Sequence, residues 1–294
     1  MSRRFALLVN PVSAGGRALK ALPGVIETLD RLGASHRTVT TRSLEHAAEE
    51  AQRASERGET VAVLSGDGTL RPLAGALKGR ETALALIPCG RGNDLARVLG
   101  VPREPREAAE TAVTGRERLI DVASVDGTPF LGIASFGFDT DANRIANESK
   151  FIKGDAVYAY AALRALVAWK PAHFNVTVDG ERHELTGYSV AVGNSGAYGG
   201  GMYLLPHALL DDGELDVLMS ERTSKLAFLR SLPKVFKGTH LDSPYAHVLR
   251  GREIELQSDR PFVIYADGDP IAATPATVTV EPRCLRVIVP PATA

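Results

Sequence analysis

Two glycine-bearing segments hold the residue types best suited to chemistry. Ser65-Gly66-Asp67-Gly68-Thr69 follows the apolar run Val61–Leu64, and Pro88-Cys89-Gly90-Arg91-Gly92-Asn93-Asp94 follows Ala83–Ile87. Glycines at the carboxyl end of a buried strand let backbone N–H groups approach a phosphate, and a following helix turns its positive end toward it. Thr69 adds a hydroxyl, Asp67 suits a divalent cation or a ribose hydroxyl, and Asn93 with Asp94 can contact a nucleotide and organise charge. Either segment alone also reads as a plain strand-to-helix turn in which Asp67, or Asn93 and Asp94, act as caps. Two of them at successive strand ends are much harder to obtain by chance. No Gly-Lys-Ser/Thr element is present, which argues against a P-loop NTPase, and the glycine spacing does not fit a dinucleotide fingerprint.

Holding such loops at strand ends requires a sheet, and the first part of the chain supplies one. Apolar runs at Phe5–Val9, Arg37–Thr40, Thr60–Leu64 and Ala83–Ile87 alternate with helical stretches near Arg17–Leu32 and Leu44–Gly58. That rhythm predicts an α/β domain with a mostly parallel sheet over residues 1–125. Beyond it come short alternating runs at His173–Val178, Tyr188–Val192, Leu215–Met219, Glu253–Leu256, Phe262–Ala266 and Ala276–Val280. These predict an antiparallel, β-rich, sandwich-like domain over 126–281, with helices near Ser149–Trp169 and Ser224–Phe236 and a tail, about 282–294, free to return to the first domain.

Composition narrows the function classes. Lys and Arg total 34 against 35 Asp and Glu, so no bulk positive field argues for a nucleic-acid partner. Cys89 and Cys284 lack zinc or redox spacing, which fits a reducing cytoplasm. Phe5–Val9 ends at Asn10-Pro11, well short of a signal-peptide core, and the longest apolar stretch, Ala156–Trp169, is interrupted by Arg164 and too short to span a bilayer.

Asn10-Pro11 with Gly15-Gly16, Thr41 ahead of His46-Ala47, the two glycine loops and Asp121 then recur in a familiar order. So do Gly137-Phe138-Asp139, Gly199-Gly200-Gly201, Asp211 to Val217, Lys237-Gly238-Thr239-His240 and Asp267-Gly268-Asp269. Across nearly the whole chain this order resembles the bacterial diacylglycerol kinase and lipid kinase family, related to sphingosine kinases and distantly to NAD kinases. The resemblance implies an ATP- and Mg2+-dependent transfer of phosphate to a lipid hydroxyl, diacylglycerol first among the acceptors. Phosphatidylglycerol, a sphingoid base, NAD and a catalytically weakened lipid-binding role stay open.

By the same resemblance Asn10, Thr41, Ser65, Gly66, Asp67, Gly68, Thr69 and Asn93 bind ATP, while Asp67, Asp94 and Asp121 form an acidic cluster. Asp269 is the base that takes the acceptor's proton. A structural Mg2+ site is implied at Leu209, Asp212 and Glu214, through one carboxylate and two backbone carbonyls. The chain departs from the family at Asp269, where a glutamate is usual, at Ser65 for glycine and at Arg91 for threonine. Asp267-Gly268 also reads simply as a hairpin turn, which is compatible with catalysis. The segment Ser224–Lys237 combines four basic residues with Leu226, Leu229, Leu232 and Phe236, suiting either a membrane surface or a helix packed on the core. A lipid acceptor would be met at a membrane surface from the cytoplasm, and a homodimer is left open.

Overall fold

The computed structural model describes residues 3–138, 140, 164–166 and 169–291. Four strands form the parallel part: β1 (Phe5–Val9), β2 (His36–Thr40), β3 (Thr60–Ser65) and β4 (Ala83–Pro88), in the order β4-β3-β1-β2. β1, β3 and β4 are buried almost end to end, because helices cover both faces of a parallel sheet. The covering helices include α1 (Arg17–Arg31), α2 (Leu44–Glu56), α3 (Leu70–Leu77), α4 (Asp94–Val98) and α5 (Pro105–Thr114). Ser43 caps α2 by accepting from the His46 N–H at 3.1 Å.

The β-rich part begins with β5 (Arg116–Val125), β6 (Thr128–Phe130) and β7 (Ile133–Gly137). It continues through β8 (Ala172–Val178), β9 (Glu181–Gly193), the short hairpin β10 (Ala197–Tyr198) and β11 (Met202–Tyr203), and β12 (Leu215–Glu221). Then come β13 (Ala246–Gly251), β14 (Glu253–Ser258), β15 (Val263–Ala266), β16 (Asp269–Ala273) and β17 (Ala276–Val289). Pairing within this part is antiparallel, as its alternating patterns require. Its core centres on an aromatic group: Phe136 meets Phe174 edge-on at 5.4 Å, and Phe138 meets Trp169 edge-on at 5.9 Å.

β17 connects the two parts. Its first half pairs antiparallel with β14, and Arg286–Ile288 pair parallel with Ala83–Ala85 of β4. β5 runs antiparallel beside both halves. The last strand therefore leaves the β-rich core and extends the parallel sheet by one edge. The anticipated helix near Ser149–Trp169 falls mostly outside the described residues, as does Asp139. Near Ser224–Phe236 the chain forms an α-helix, Lys225–Ser231, followed by a 3-10 turn, Leu232–Lys237.

Candidate active site

Both glycine loops sit at the carboxyl ends of adjacent strands, and they touch. A Cβ on Gly66 would lie 3.0 Å from the Gly90 Cα, and one on Gly90 would meet the Gly66 Cα at 2.8 Å, so neither position accepts a side chain without displacing the other backbone. Beneath the first loop runs a chain of small polar groups. Asn10 Nδ2 donates to Thr69 Oγ1 at 3.2 Å, and Thr69 Oγ1 lies 2.7 Å from Ser65 Oγ. Ser65 keeps a negative φ, so replacing glycine there needs no unusual backbone. Thr41 is buried beside this chain and donates to the Val9 carbonyl at 3.1 Å.

Asn93 fastens the second loop. It adopts a left-handed φ of 53°, accepts from the Gly90 N–H at 2.8 Å, and donates from Nδ2 to the Gly90 carbonyl at 3.0 Å. Its own N–H donates to Asp67 Oδ2 at 2.7 Å, joining the two loops. Asp94 Oδ2 accepts from the Gly200 N–H at 2.8 Å, which explains why three glycines occur in succession there: Gly199, Gly200 and Gly201 all have positive φ.

The two loops hold their carboxylates close together. A Cβ added to Gly92 would lie 3.1 Å from Asp67 Oδ2 and 3.2 Å from Asp94 Oδ2. Burial, and then the neighbouring Asp94 charge, raise Asp67 above the ordinary carboxylate range, against the backbone N–H groups that bond it. Asp94 Oδ1 is buried without a hydrogen-bond partner among the described residues. A half-buried, partly unsatisfied carboxylate pair is what a hard divalent cation stabilises, so the residues present fit one.

Across the cleft lies the turn between β15 and β16. Asp267 and Gly268 have φ of 51° and 93°, the two positive values of a tight hairpin turn. Asp267 accepts from the Leu131 N–H at 2.9 Å and the Gly132 N–H at 2.8 Å, fixing the turn against the loop before β7. Burial pushes its carboxyl up to about 6 despite those donors, with Asp67 adding to the rise and Arg71 opposing it. Asp269 projects from the same turn and lies 3.4 Å from Arg71 Nη2, at the start of α3. The cleft so formed measures about 440 Å³ and is lined by Ser13, Ala14, Gly66, Asp67, Gly68, Gly90, Arg91, Asp267, Gly268 and Asp269. Arg91 is exposed on its wall and enters no ion pair among the described residues.

Asp121 is held elsewhere. It is fully buried on β5 and accepts from the Gly213 N–H at 2.7 Å and the Arg283 N–H at 2.6 Å, bridging the loop before β12 and the register shift of β17 rather than lining the cleft. Burial raises it above the usual range, against those two N–H groups. At the Leu209–Glu214 loop, Arg250 pairs with Asp212 and, at 3.1 Å, with Glu214, supplying positive charge where the sequence suggested a cation. Among the described residues no cluster of three or more His, Cys, Asp or Glu side chains is arranged to hold a metal. His240 is buried away from the cleft and donates from Nε2 to the Leu204 carbonyl at 2.9 Å. Sequence reasoning missed Arg71, since one arginine in a helix carries no signal, and treated Asp267 only as a turn residue.

The chain is similar to known proteins over both of its parts. Residues 4–125 match the diacylglycerol kinase catalytic domain, and residues 132–289 match the YegS C-terminal NAD kinase beta sandwich-like domain. A diacylglycerol kinase of Mycobacterium tuberculosis is 32% identical over 98% of this chain and 95% of its own length. A protein of Pseudomonas fluorescens named "Probable lipid kinase YegS-like" is 31% identical over 81% of this chain and 80% of its own. The crystal structure of a diacylglycerol kinase from Bacillus anthracis superimposes with a TM-score of 0.79 at 23% identity, covering 100% of this chain and 99% of that one, and shows the fold. With two matched domains in one order and a relative alike from end to end, this chain belongs to the diacylglycerol kinase and YegS-like family and is a lipid kinase.

Proposed function

We propose that the chain transfers the γ-phosphate of ATP to the hydroxyl of diacylglycerol, giving phosphatidic acid, in a Mg2+-dependent reaction. The observation that carries this reading is that the Asp67 loop and the Asp267-Gly268-Asp269 turn face each other across one cleft. Phosphoryl transfer needs little covalent help from the protein, so catalysis rests on positioning and charge stabilisation. Gly66, Gly68 and Gly90 leave backbone open to the phosphates, and Arg91 offers a guanidinium fork in place of the usual threonine hydroxyl. Asn10, Thr41, Ser65, Thr69 and Asn93 serve nucleotide binding mainly by holding the loops in shape.

Asp67 and Asp94 would hold the cation, which when bound neutralises charge on the phosphate oxygens. Asp269 takes the acceptor's proton as its oxygen attacks: the new bond forms to the γ-phosphorus, the bond to the β,γ-bridging oxygen breaks, and ADP leaves. Arg71 orients Asp269, whose shorter side chain reaches roughly 1.3 to 1.5 Å less far than a glutamate would. Asp121 supports the site through the loop and the strand it bonds. A second cation at Leu209, Asp212 and Glu214 would have to share Asp212 with Arg250. In this reading residues 1–125 bind the nucleotide, residues 126–281 receive the lipid, and the enzyme works from the cytoplasm at a membrane.

The test is Mg2+-dependent transfer of labelled γ-phosphate in mixed micelles, offering diacylglycerol, phosphatidylglycerol and sphingosine separately, with NAD as a soluble control. Labelled diacylglycerol that disappears with Asp269→Ala supports the reading. Labelling of another lipid alone renames the acceptor, and labelling of NAD without lipid overturns the proposal.

A further inference from the structure

The helix Lys225–Ser231 and the turn Leu232–Lys237 carry two apolar sets, of which only one is packed. In the inner set the Phe228 ring stacks on Tyr188 at 3.9 Å between centroids and meets Phe138 edge-on at 4.9 Å, while Val235 is buried. The outer set faces solvent: Leu226 is 57% exposed, Phe236 58% and Leu229 36%, and no residue of the helix is buried. Single exposed leucines are ordinary on a protein surface, but three large apolar side chains on one short segment are a patch that something covers.

The charge around the patch says what. Arg230, Lys234 and Lys237 are exposed, and among the described residues none of the three enters an ion pair. No acidic residue occurs from Ser224 to His240. Since the whole chain carries a formal charge of -1, this positive field is local and belongs to the patch. A symmetric contact with a second copy would set these cations against their own kind, so the occupant must be anionic.

The patch also connects to the cleft. A Cβ on Gly238, next after Lys237, would lie 3.1 Å from the Pro206 side chain and 3.9 Å from the Tyr203 Cβ. Tyr203, itself 37% exposed, belongs to the β10–β11 hairpin, whose turn bonds Asp94 through the Gly200 N–H.

We propose that this face docks on an anionic lipid bilayer. Leu226, Leu229 and Phe236 enter the boundary between headgroups and acyl chains, while Arg230, Lys234 and Lys237 meet lipid phosphates. The docking gains its purpose from the lipid-kinase reading, but the binding itself requires neither ATP nor acceptor.

Sedimentation with phosphatidylcholine vesicles, with and without phosphatidylglycerol, tests it on the full chain in the absence of nucleotide. Binding is expected to require phosphatidylglycerol and to weaken with salt. Lys234→Ala with Lys237→Ala should lower affinity about 10- to 30-fold, and Leu226→Ser with Phe236→Ser by about tenfold or more, with thermal midpoints unchanged because these side chains are exposed. Leu119→Ser, an exposed change on β5, should bind like the parent. Absence of vesicle binding by the parent, equal binding to phosphatidylcholine alone, or undiminished binding by both double variants would each overturn the proposal. Self-association lost in the leucine and phenylalanine variant while vesicle binding persists would assign the face to a second copy instead. If vesicles bind as expected but no lipid is phosphorylated, the docking face stands and the proposed reaction falls.

Discussion

At the scale of single residues, the site is a set of carboxylates with separate duties. Asp269 is half-buried, near one cation and unencumbered by backbone donors, which suits a group that must accept and release a proton. Asp269→Ala is therefore expected to lower kcat by about 10²- to 10⁴-fold with KM little changed, whereas Asp269→Glu should retain turnover, as initial-rate kinetics will check. Asp67 and Asp94 share one pocket of charge, so Asp67→Asn or Asp94→Asn should raise the Mg2+ concentration for half-maximal rate roughly 10- to 100-fold. Asp267 is the structural member, and its carboxyl is raised from 3.8 to about 6 chiefly by burial. A raised folded value means that the unfolded chain loses this proton first. The stability it contributes is whole below about 3.8, falls as pH rises toward about 6, and stays constant above that. Asp267→Asn leaves one of the Leu131 and Gly132 donors facing an amide, so the variant should melt below the parent, with a gap that narrows from pH 4 to 6 in thermal scans.

At the scale of elements, the loops are kept in shape by tight contacts rather than by length. Asn93 combines a left-handed backbone with a side chain closed on Gly90, so two substitutions separate its roles. Asn93→Gly keeps the backbone and loses the latch, while Asn93→Ala loses both and should be less stable by roughly 1 kcal/mol more, read from denaturant midpoints. Such roles were only partly legible in the sequence. The strands β1, β3 and β4 could be read almost to the residue, because continuous apolar runs end at Asn10-Pro11, Gly66-Asp67 and Cys89-Gly90. For β17 the sequence predicts a strand only over Ala276–Val280, with a separate tail from about 282 free to return to the first domain. The strand instead shifts register there, with Arg283 at a φ of 47°, and runs on to Val289. The strand pattern of β5 to β7 was missed, as polar and glycine positions interrupt its apolar alternation. The resemblance implies one site for Asp67 and Asp269, but nothing in the sequence says where the buried Asp121 points, because that depends on contacts with residues far along the chain.

At the scale of the whole molecule, the cleft exists only because two differently built parts are held together, and the fastenings are buried. β17 pairs with both parts, and Asp121 adds a polar bond at the point where the strand bends. Its backbone N–H donates to the Leu210 carbonyl at 2.6 Å, and Asn194 Nδ2 donates to its carbonyl at 3.1 Å, so one residue gathers three segments distant in sequence: the loop of Leu210 and Gly213, Asn194 and Arg283. Family resemblance counts Asp121 among the residues required for activity, yet its carboxylate meets two backbone donors and no part of the cleft. Removing it leaves the Gly213 and Arg283 N–H groups without their acceptor, at a cost of about 1 to 3 kcal/mol for each one that stays buried. Asp121→Ala should therefore lower the thermal midpoint by several degrees, and any activity it loses should return in part when the assay is cooled or when saturating nucleotide holds the fold. Asp67→Asn should behave in the opposite way, staying folded and remaining slow at every temperature. Calorimetry beside initial rates at two temperatures separates the two: an Asp121→Ala protein as stable as the parent but equally inactive at both would return Asp121 to the catalytic cluster.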